Sequence, residues 1–211
     1  TLMVNGQAAE AAAAMAGRHP ELAVGLHFNL TLGNPTCSPG AVPSLVDREG
    51  RFHSRDALAR RLVTGGVRQE HLELELQAQF DRLRDMGVAP THVDSHQHVH
   101  GFPPVFDGVA RLCCRANLPM RVPWVLRLQG GGAGLGRRIR QAVLRAMLAK
   151  CVRRWQGKVS WNDGLVSIFD LGVPARELEL RHYREVLSRA PGRVVELMVH
   201  PARDARQLEG L

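Results

Sequence analysis

The chain has 211 residues, 45% of them hydrophobic, enough for one packed core and an expected single domain over 1–211. No apolar run approaches membrane-spanning length, and the Ala-rich start, with Glu10 inside it and no cationic lead, does not read as a signal peptide. The net charge of +8, carried mostly by arginine, permits contact with nucleic acid or an anionic surface without requiring it.

Thr1–Val4 reads as the end of a strand, and Asn5-Gly6 as a turn. Gln7–Gly17 is a helix by its alanine content, closed by Gly17. Leu22–Leu32 (LAVGLHFNLTL) reads as a second strand, whose alternation puts His27 and Asn29 on one face. Asn34–His53, rich in proline and glycine, is a long loop of the functional kind. Ser54 caps a helix over Arg55–Val63, which Gly65-Gly66 breaks. Val67–Met86 is an amphipathic helix with Leu72, Leu76, Phe80 and Leu83 inward; its carboxylates, Glu70, Glu73, Glu75 and Asp81, read as a solvated face.

Pro90 opens the most distinctive stretch, Thr91–His100, THVDSHQHVH. Prolines on both flanks and the β-branched Val93 and Val99 favour a short strand from about Thr91. A strand would turn His92, Asp94, His96, His98 and His100 to one side, with His96–His100 at its end or in the next loop. No glutamate follows the first histidine as a zinc-protease helix demands. Neutral imidazole is the commonest protein metal ligand, and Asp94 could orient one.

Val105–Ala116 reads as a helix and Met120–Trp124 as a short strand carrying Arg121. Gly130–Gly136 lacks the Lys-Ser/Thr of a phosphate loop and reads as a flexible loop. Arg137–Trp155 is a long basic helix with Ile139, Val143, Met147, Cys151 and Trp155 as its expected core stripe. Leu165–Asp170 is a strand, Pro174–Ala190 a helix, and Arg193–Val199 a buried-type strand that delivers His200-Pro201. Cys37, Cys113, Cys114 and Cys151 show no CxxC spacing; with no export signal they suit a reducing, cytoplasmic setting.

Alternating strands and helices argue for a parallel α/β sheet or barrel, in which chemistry gathers at the C-terminal ends of strands. His27, the His96–His100 cluster and His200 all fall there, and that convergence carries the expectation of a metal-dependent site.

Four segments resemble the YdjC-like carbohydrate deacetylases, also called chitooligosaccharide deacetylases. They are LMVNGQA (Leu2–Ala8), VGLHFNLTLGNP (Val24–Pro35), PTHVDSHQHVHGFP (Pro90–Pro103) and ELMVHPA (Glu196–Ala202). The resemblance implies a distorted (β/α) barrel of the glycoside hydrolase/deacetylase type, incomplete in this chain. It implies removal of acetyl groups from N-acetylglucosamine units with a divalent metal held by His27, His96 and an aspartate of an Asp-Asp-Phe-Gly motif. That motif, the family's source of a general base, does not occur in these 211 residues. The resemblance therefore implies a chain lacking the first strand and the C-terminal closing elements.

In such a reaction the metal polarises the amide carbonyl and activates water. His200 is the expected group to protonate the leaving amine or stabilise the oxyanion, whereas Asp94, His98, His100, Arg121 and Asn29 would contact substrate or support the ligands. The resemblance implies Mg²⁺, while two imidazoles and a carboxylate also suit Zn²⁺. The expected partner is a small acetylated oligosaccharide; a homodimer is left open, and no membrane is expected. Two other readings are a catalytically inactive remnant that binds sugar, and a nucleic-acid or anionic-surface binder using the basic helix. The want of an aromatic stacking platform argues against the last.

Overall fold

The computed structural model describes residues 1–123, 135–167, 179–190 and 192–200. They fall into two compact units, Thr1–Arg121 with Ile139–Trp161, and Val122–Arg138 with Asn162–Leu211.

The first unit contains α1 (Ala9–Gly17), β1 (Leu26–Phe28), α2 (Arg55–Val63), α3 (Gln69–Asp85), β2 (Val93–Ser95), α4 (Pro103–Ala116) and most of α5 (Leu135–Trp155). β1 and β2 pair in parallel, with Leu26 opposite Val93, His27 opposite Asp94 and Phe28 opposite Ser95. Single parallel bridges extend the row, from Leu2 to Leu26 on one side and from Val93 through Met120 to Trp161 on the other. Every pairing in this row is parallel, as βα alternation requires.

The strands are shorter than the sequence suggests. Leu22–Leu32 contracts to Leu26–Phe28, because the Asn29 side chain accepts from the backbone N–H groups of Thr31 and Leu32 at 3.0 and 3.1 Å and turns the chain. Met120–Trp124 reduces to bridges at Met120; Val122 instead pairs with the Asn162 side-chain amide, which accepts from its N–H at 2.6 Å and donates to its carbonyl at 3.0 Å. Trp124 itself lies outside the described residues.

The helices match their signals more closely. Ser54 caps α2 by accepting from the Ala57 N–H at 3.4 Å. Pro103 opens α4, and Asn117 closes it in the left-handed conformation, φ 51°. α3 and α4 bury Leu72, Leu76, Phe80 and Leu83 against an apolar face that includes Val105, Phe106, Val109 and Leu112. Gly108 allows that approach, since a Cβ there would lie 2.8 Å from Leu72 Cδ2.

One helical expectation holds only in part and another fails. In α5, among the described side chains, Leu148 and Cys151 are buried and Trp155 is half-buried, so Cys151 and Trp155 of the expected stripe do face inward, while Val143 and Met147 are 52% and 39% exposed. The side chain of Ile139 lies outside the description. Leu148 and Cys151 sit on the α4 side, where Trp155 Nε1 donates to Asp107 Oδ1 at 2.8 Å and Arg154 pairs with the same carboxylate. On α3, Glu75 is fully buried rather than solvated. The cysteines are free: Cys113 and Cys151 are buried, Cys37 is half-buried and Cys114 is exposed.

The second unit pairs β3 (Gly164–Ser167) with β4 (Val195–Met198) in parallel and adds α6 (Leu180–Arg189). Asp163 accepts from the Arg193 and Val194 N–H groups at 2.6 and 2.9 Å, fixing the turn into β4. β4 is half-buried throughout rather than fully buried, and Val194 and Val199 at its ends are exposed. The sequence start of the α6 helix at Pro174, residues 168–170 of the β3 strand and residues 130–134 of the glycine-rich loop lie outside the described residues. Among the described residues no helix is long and apolar enough to cross a membrane.

Candidate functional site

The parallel register places His27 of β1 directly beside Asp94 of β2, and the bridge at Met120 brings Arg121 to the other side of Asp94. The three side chains form a row. Asp94 Oδ1 accepts from His27 Nδ1 at 2.6 Å, and Oδ2 receives Arg121 Nη1 at 2.7 Å and the Thr1 hydroxyl at 3.2 Å. The Asp94 side chain is 1% exposed, against 14% for Arg121 and 24% for His27. Burial pushes the Asp94 carboxyl up, but the His27 hydrogen bond and the charges of His27 and Arg121 outweigh it and hold the group well below the usual carboxylate range.

An ionised carboxylate only accepts, so His27 presents Nδ1–H to it, and a neutral ring so oriented turns its Nε2 lone pair away from Asp94, toward a ligand. The His96 ring stands edge-on to it, with centroids 5.8 Å apart and planes at 70°. Two imidazoles sharing one ion stand at a centroid separation of about this size. The donor chemistry fits part of a divalent metal site: two imidazoles, one of them oriented by a buried carboxylate. Among the described residues no group of three or more His, Cys, Asp or Glu side chains could hold an ion by itself.

The alternation of THVDSHQHVH ends at Ser95. His96–Gly101 is a tight turn of 3₁₀ type, interrupted by Gln97 and His98 in left-handed conformations, φ 49° and 54°. Two consecutive non-glycine residues in this region store backbone strain immediately after His96. The expected row of five polar side chains on one strand face therefore divides. His92 packs across Gly25, where a Cβ would lie 2.6 Å from its ring and its carbonyl. Asp94 bridges His27 and Arg121, and His98 and His100 fold into the turn.

His100 is 1% exposed; the Ser95 hydroxyl accepts from its backbone N–H at 3.2 Å and shares a hydrogen bond with its Nδ1. Burial, then the neighbouring His98, lowers its pKa to about 3; burial and Arg121 lower that of His98 to about 4. Both imidazoles are neutral at physiological pH. Their rings meet edge-on at 6.3 Å, and His98 Nδ1 and His100 Nε2 are buried without a hydrogen-bond partner.

Asn29 is fully buried and its side chain is committed to the loop that follows β1. His200 lies in the second unit, two residues past β4, and is half-buried. Sequence reasoning passed over Thr1, which reaches both His27 and Asp94, and the buried pair Glu75 and Gln79. Their spacing from Leu72, Leu76 and Leu83 was the available signal, because it puts both on the inward face of α3.

The family model described as YdjC-like protein matches residues 1–210. A carbohydrate deacetylase of Geobacillus stearothermophilus is 49% identical over 121 residues, 57% of this chain and 46% of that protein. A chitooligosaccharide deacetylase of Serratia marcescens is 42% identical over 123 residues, 58% of this chain and 47% of that protein. The chain thus spans about half the length of these curated relatives. A solved structure from Enterococcus faecalis V583, provisionally described as a cellobiose-phosphate cleavage protein, superposes with a TM-score of 0.69 at 22% identity. The match covers 98% of this chain and 71% of that one, a likeness of fold.

Proposed function

The chain belongs to the YdjC-like protein family, and from that premise we propose that it serves a carbohydrate deacetylase, a hydrolase that removes N-acetyl groups from short sugars containing N-acetylglucosamine. The observation that carries this reading is the buried His27–Asp94–Arg121 row beside His96. The proposed scaffold is an α/β barrel of distorted type, with the site at the C-terminal ends of its parallel strands.

His27 and His96 are the proposed holders of a divalent cation, Mg²⁺ by family resemblance and Zn²⁺ by ligand type. When bound, such a cation supplies Lewis acidity toward the acetamido carbonyl and makes an attacking water more acidic. Asp94 holds the His27 proton on Nδ1 and so fixes which nitrogen faces the ligand. Arg121 balances the buried carboxylate, which keeps it ionised and accepting. His98 and His100, held neutral, add no charge where a neutral sugar must bind. Water adds to the carbonyl carbon, the C–N bond breaks, and acetate leaves; protonation of the departing amine is assigned by the sequence pattern to His200. The general base and the third ligand correspond by resemblance to an Asp-Asp-Phe-Gly motif that these 211 residues do not contain.

The test is acetate release from N,N′-diacetylchitobiose by the full-length protein. Activity that requires a divalent cation and disappears in His96→Ala is expected. Absence of acetate release from a panel of acetylated oligosaccharides overturns the reading.

A further inference from the structure

Helix α3 buries two polar side chains for which the hydrolytic chemistry has no use. Glu75 and Gln79 are each 0% exposed. The Glu75 carboxylate accepts from the backbone N–H groups of Thr36 and Cys37 at 2.8 and 2.9 Å, and from Gln79 Nε2 at 2.7 Å. These partners are all neutral, an expensive way to bury a charge. Gln79 in turn clamps both backbone groups of Asn29: its Oε1 accepts from the Asn29 N–H at 3.0 Å and its Nε2 donates to the Asn29 carbonyl at 2.7 Å.

Asn29 is the second residue after His27, and it passes the restraint onward. Its Nδ2 donates to the Leu32 carbonyl at 2.7 Å and to Asn5 Oδ1 at 3.1 Å, while Asn5 Nδ2 donates to the Asn34 carbonyl at 2.8 Å. The backbone of residues 29–37 is thus pinned by side chains at Asn29, Thr31, Leu32, Asn34, Thr36 and Cys37. The outward side chains are not: Leu32 is 55% exposed, and Asn34 is exposed as well. Ending a strand needs one Asx turn. A loop held at both ends and in the middle, leaving β1 beside a candidate ligand, is the arrangement that preorganised binding requires.

We propose that Glu75 and Gln79 are positioning residues that hold the loop 29–37 as a preformed rim for the sugar chain. The identity of the ligand rests on the deacetylase reading; the clamp itself rests on the hydrogen bonds above. Glu75→Gln is the direct probe. It keeps shape and size but offers one acceptor oxygen where two backbone N–H groups converge, so one of them meets an amide N–H instead.

In the full-length protein, Glu75→Gln is expected to speed hydrogen exchange at the Thr36 and Cys37 amides at least tenfold. It should raise KM for N,N′-diacetylchitobiose about tenfold, with kcat within threefold and Zn²⁺ affinity by calorimetry unchanged. Should Glu75→Gln fold poorly, Asn5→Ala releases the Asn34 end of the same loop and should raise KM two- to fivefold. Faster exchange with unchanged KM in either variant overturns the proposal, and so does unchanged exchange. A wild-type protein that neither binds nor deacetylates sugar defeats the functional reading first, and the rim falls with it.

Discussion

Replacing Asp94 by Asn alters one atom in the row and reverses the hydrogen-bonding logic of its neighbours. The amide oxygen can still face Arg121, but the amide N–H then faces His27 Nδ1, now 2.6 Å from a carboxylate oxygen. His27 must accept there and move its proton to Nε2, which removes the lone pair a metal would use. Arg121, with 14% of its side chain exposed, also loses its balancing charge. Breaking a buried pair by truncation costs about 3–5 kcal/mol; Asn retains a dipole, so about 2–4 kcal/mol is expected at pH 7. For a chain of this size that is a fall in Tm of roughly 4–16 °C.

The deficit should depend on pH in a definite sense. Asp94 has a folded-state pKa below its unfolded value of about 3.9, so its contribution is complete above that value and fades as pH falls toward the folded pKa. Wild type and Asp94→Asn should therefore converge in strong acid. Urea unfolding at pH 7 and pH 3 measures the stability, and Zn²⁺ titration calorimetry should show a tenfold to hundredfold weaker affinity. An Asp94→Asn protein within 1 kcal/mol of wild type at neutral pH, with unaltered Zn²⁺ affinity, refutes the reasoning.

Three further outcomes are expected. Gly25→Ala puts a methyl 2.6 Å from the His92 ring and carbonyl and should cost about 1–3 kcal/mol or more, whereas Gly17→Ala, with nothing within 4 Å, should be neutral or better; thermal melts of the pair decide it. Leu83→Ala, from full burial, should lose about 2–5 kcal/mol in urea, while Leu74→Ala, at 47% exposure, should stay within about 0.5 kcal/mol. Burial and the Glu75 charge push the Cys37 thiol up to about 12, and burial does the same for Cys113, so a thiol reagent at pH 8 should find one fast site, the exposed Cys114; a fast signal persisting in Cys114→Ser contradicts this.

Much of this architecture was legible before any coordinates. The α2 boundaries follow from Ser54 and Gly65, and the inward leucines of α3 from their spacing, because caps and periodicity act locally. The neighbourhood of His27, Asp94 and Arg121 was legible only as residue types near strand ends. The His27–Asp94 contact depends on a register set by pairing between segments more than sixty residues apart, and the Arg121 contact on the bridge at Met120, neither of which a local signal carries. The buried Glu75 was missed for the opposite reason. Charge argued for solvent, and only the demand of two backbone N–H groups from another segment reverses that preference. In α5 the C-terminal part of the i, i+4 stripe, Cys151 and Trp155, meets a partner, whereas Val143 and Met147 earlier in it stay exposed, because spacing alone does not say how far along a helix its partner reaches.

The left-handed pair at Gln97 and His98 sets the mutational alphabet of the histidine turn. At position 97 handedness, rather than polarity or size, ranks the tolerated residues, with Gly, Asn and Asp ahead and Val, Ile and Thr last. Two positions earlier, in β2, the code is a different one: Ser95 lies in extended backbone, which suits β-branched residues, but its buried hydroxyl is bonded to the His100 N–H and Nδ1, so Thr leads there and Val and Ile fall behind for want of the oxygen. Within the span of one turn the chain passes from a code set by a buried hydroxyl to one set by backbone handedness. A mutational scan of residues 95–98 should display that change of code on crossing His96.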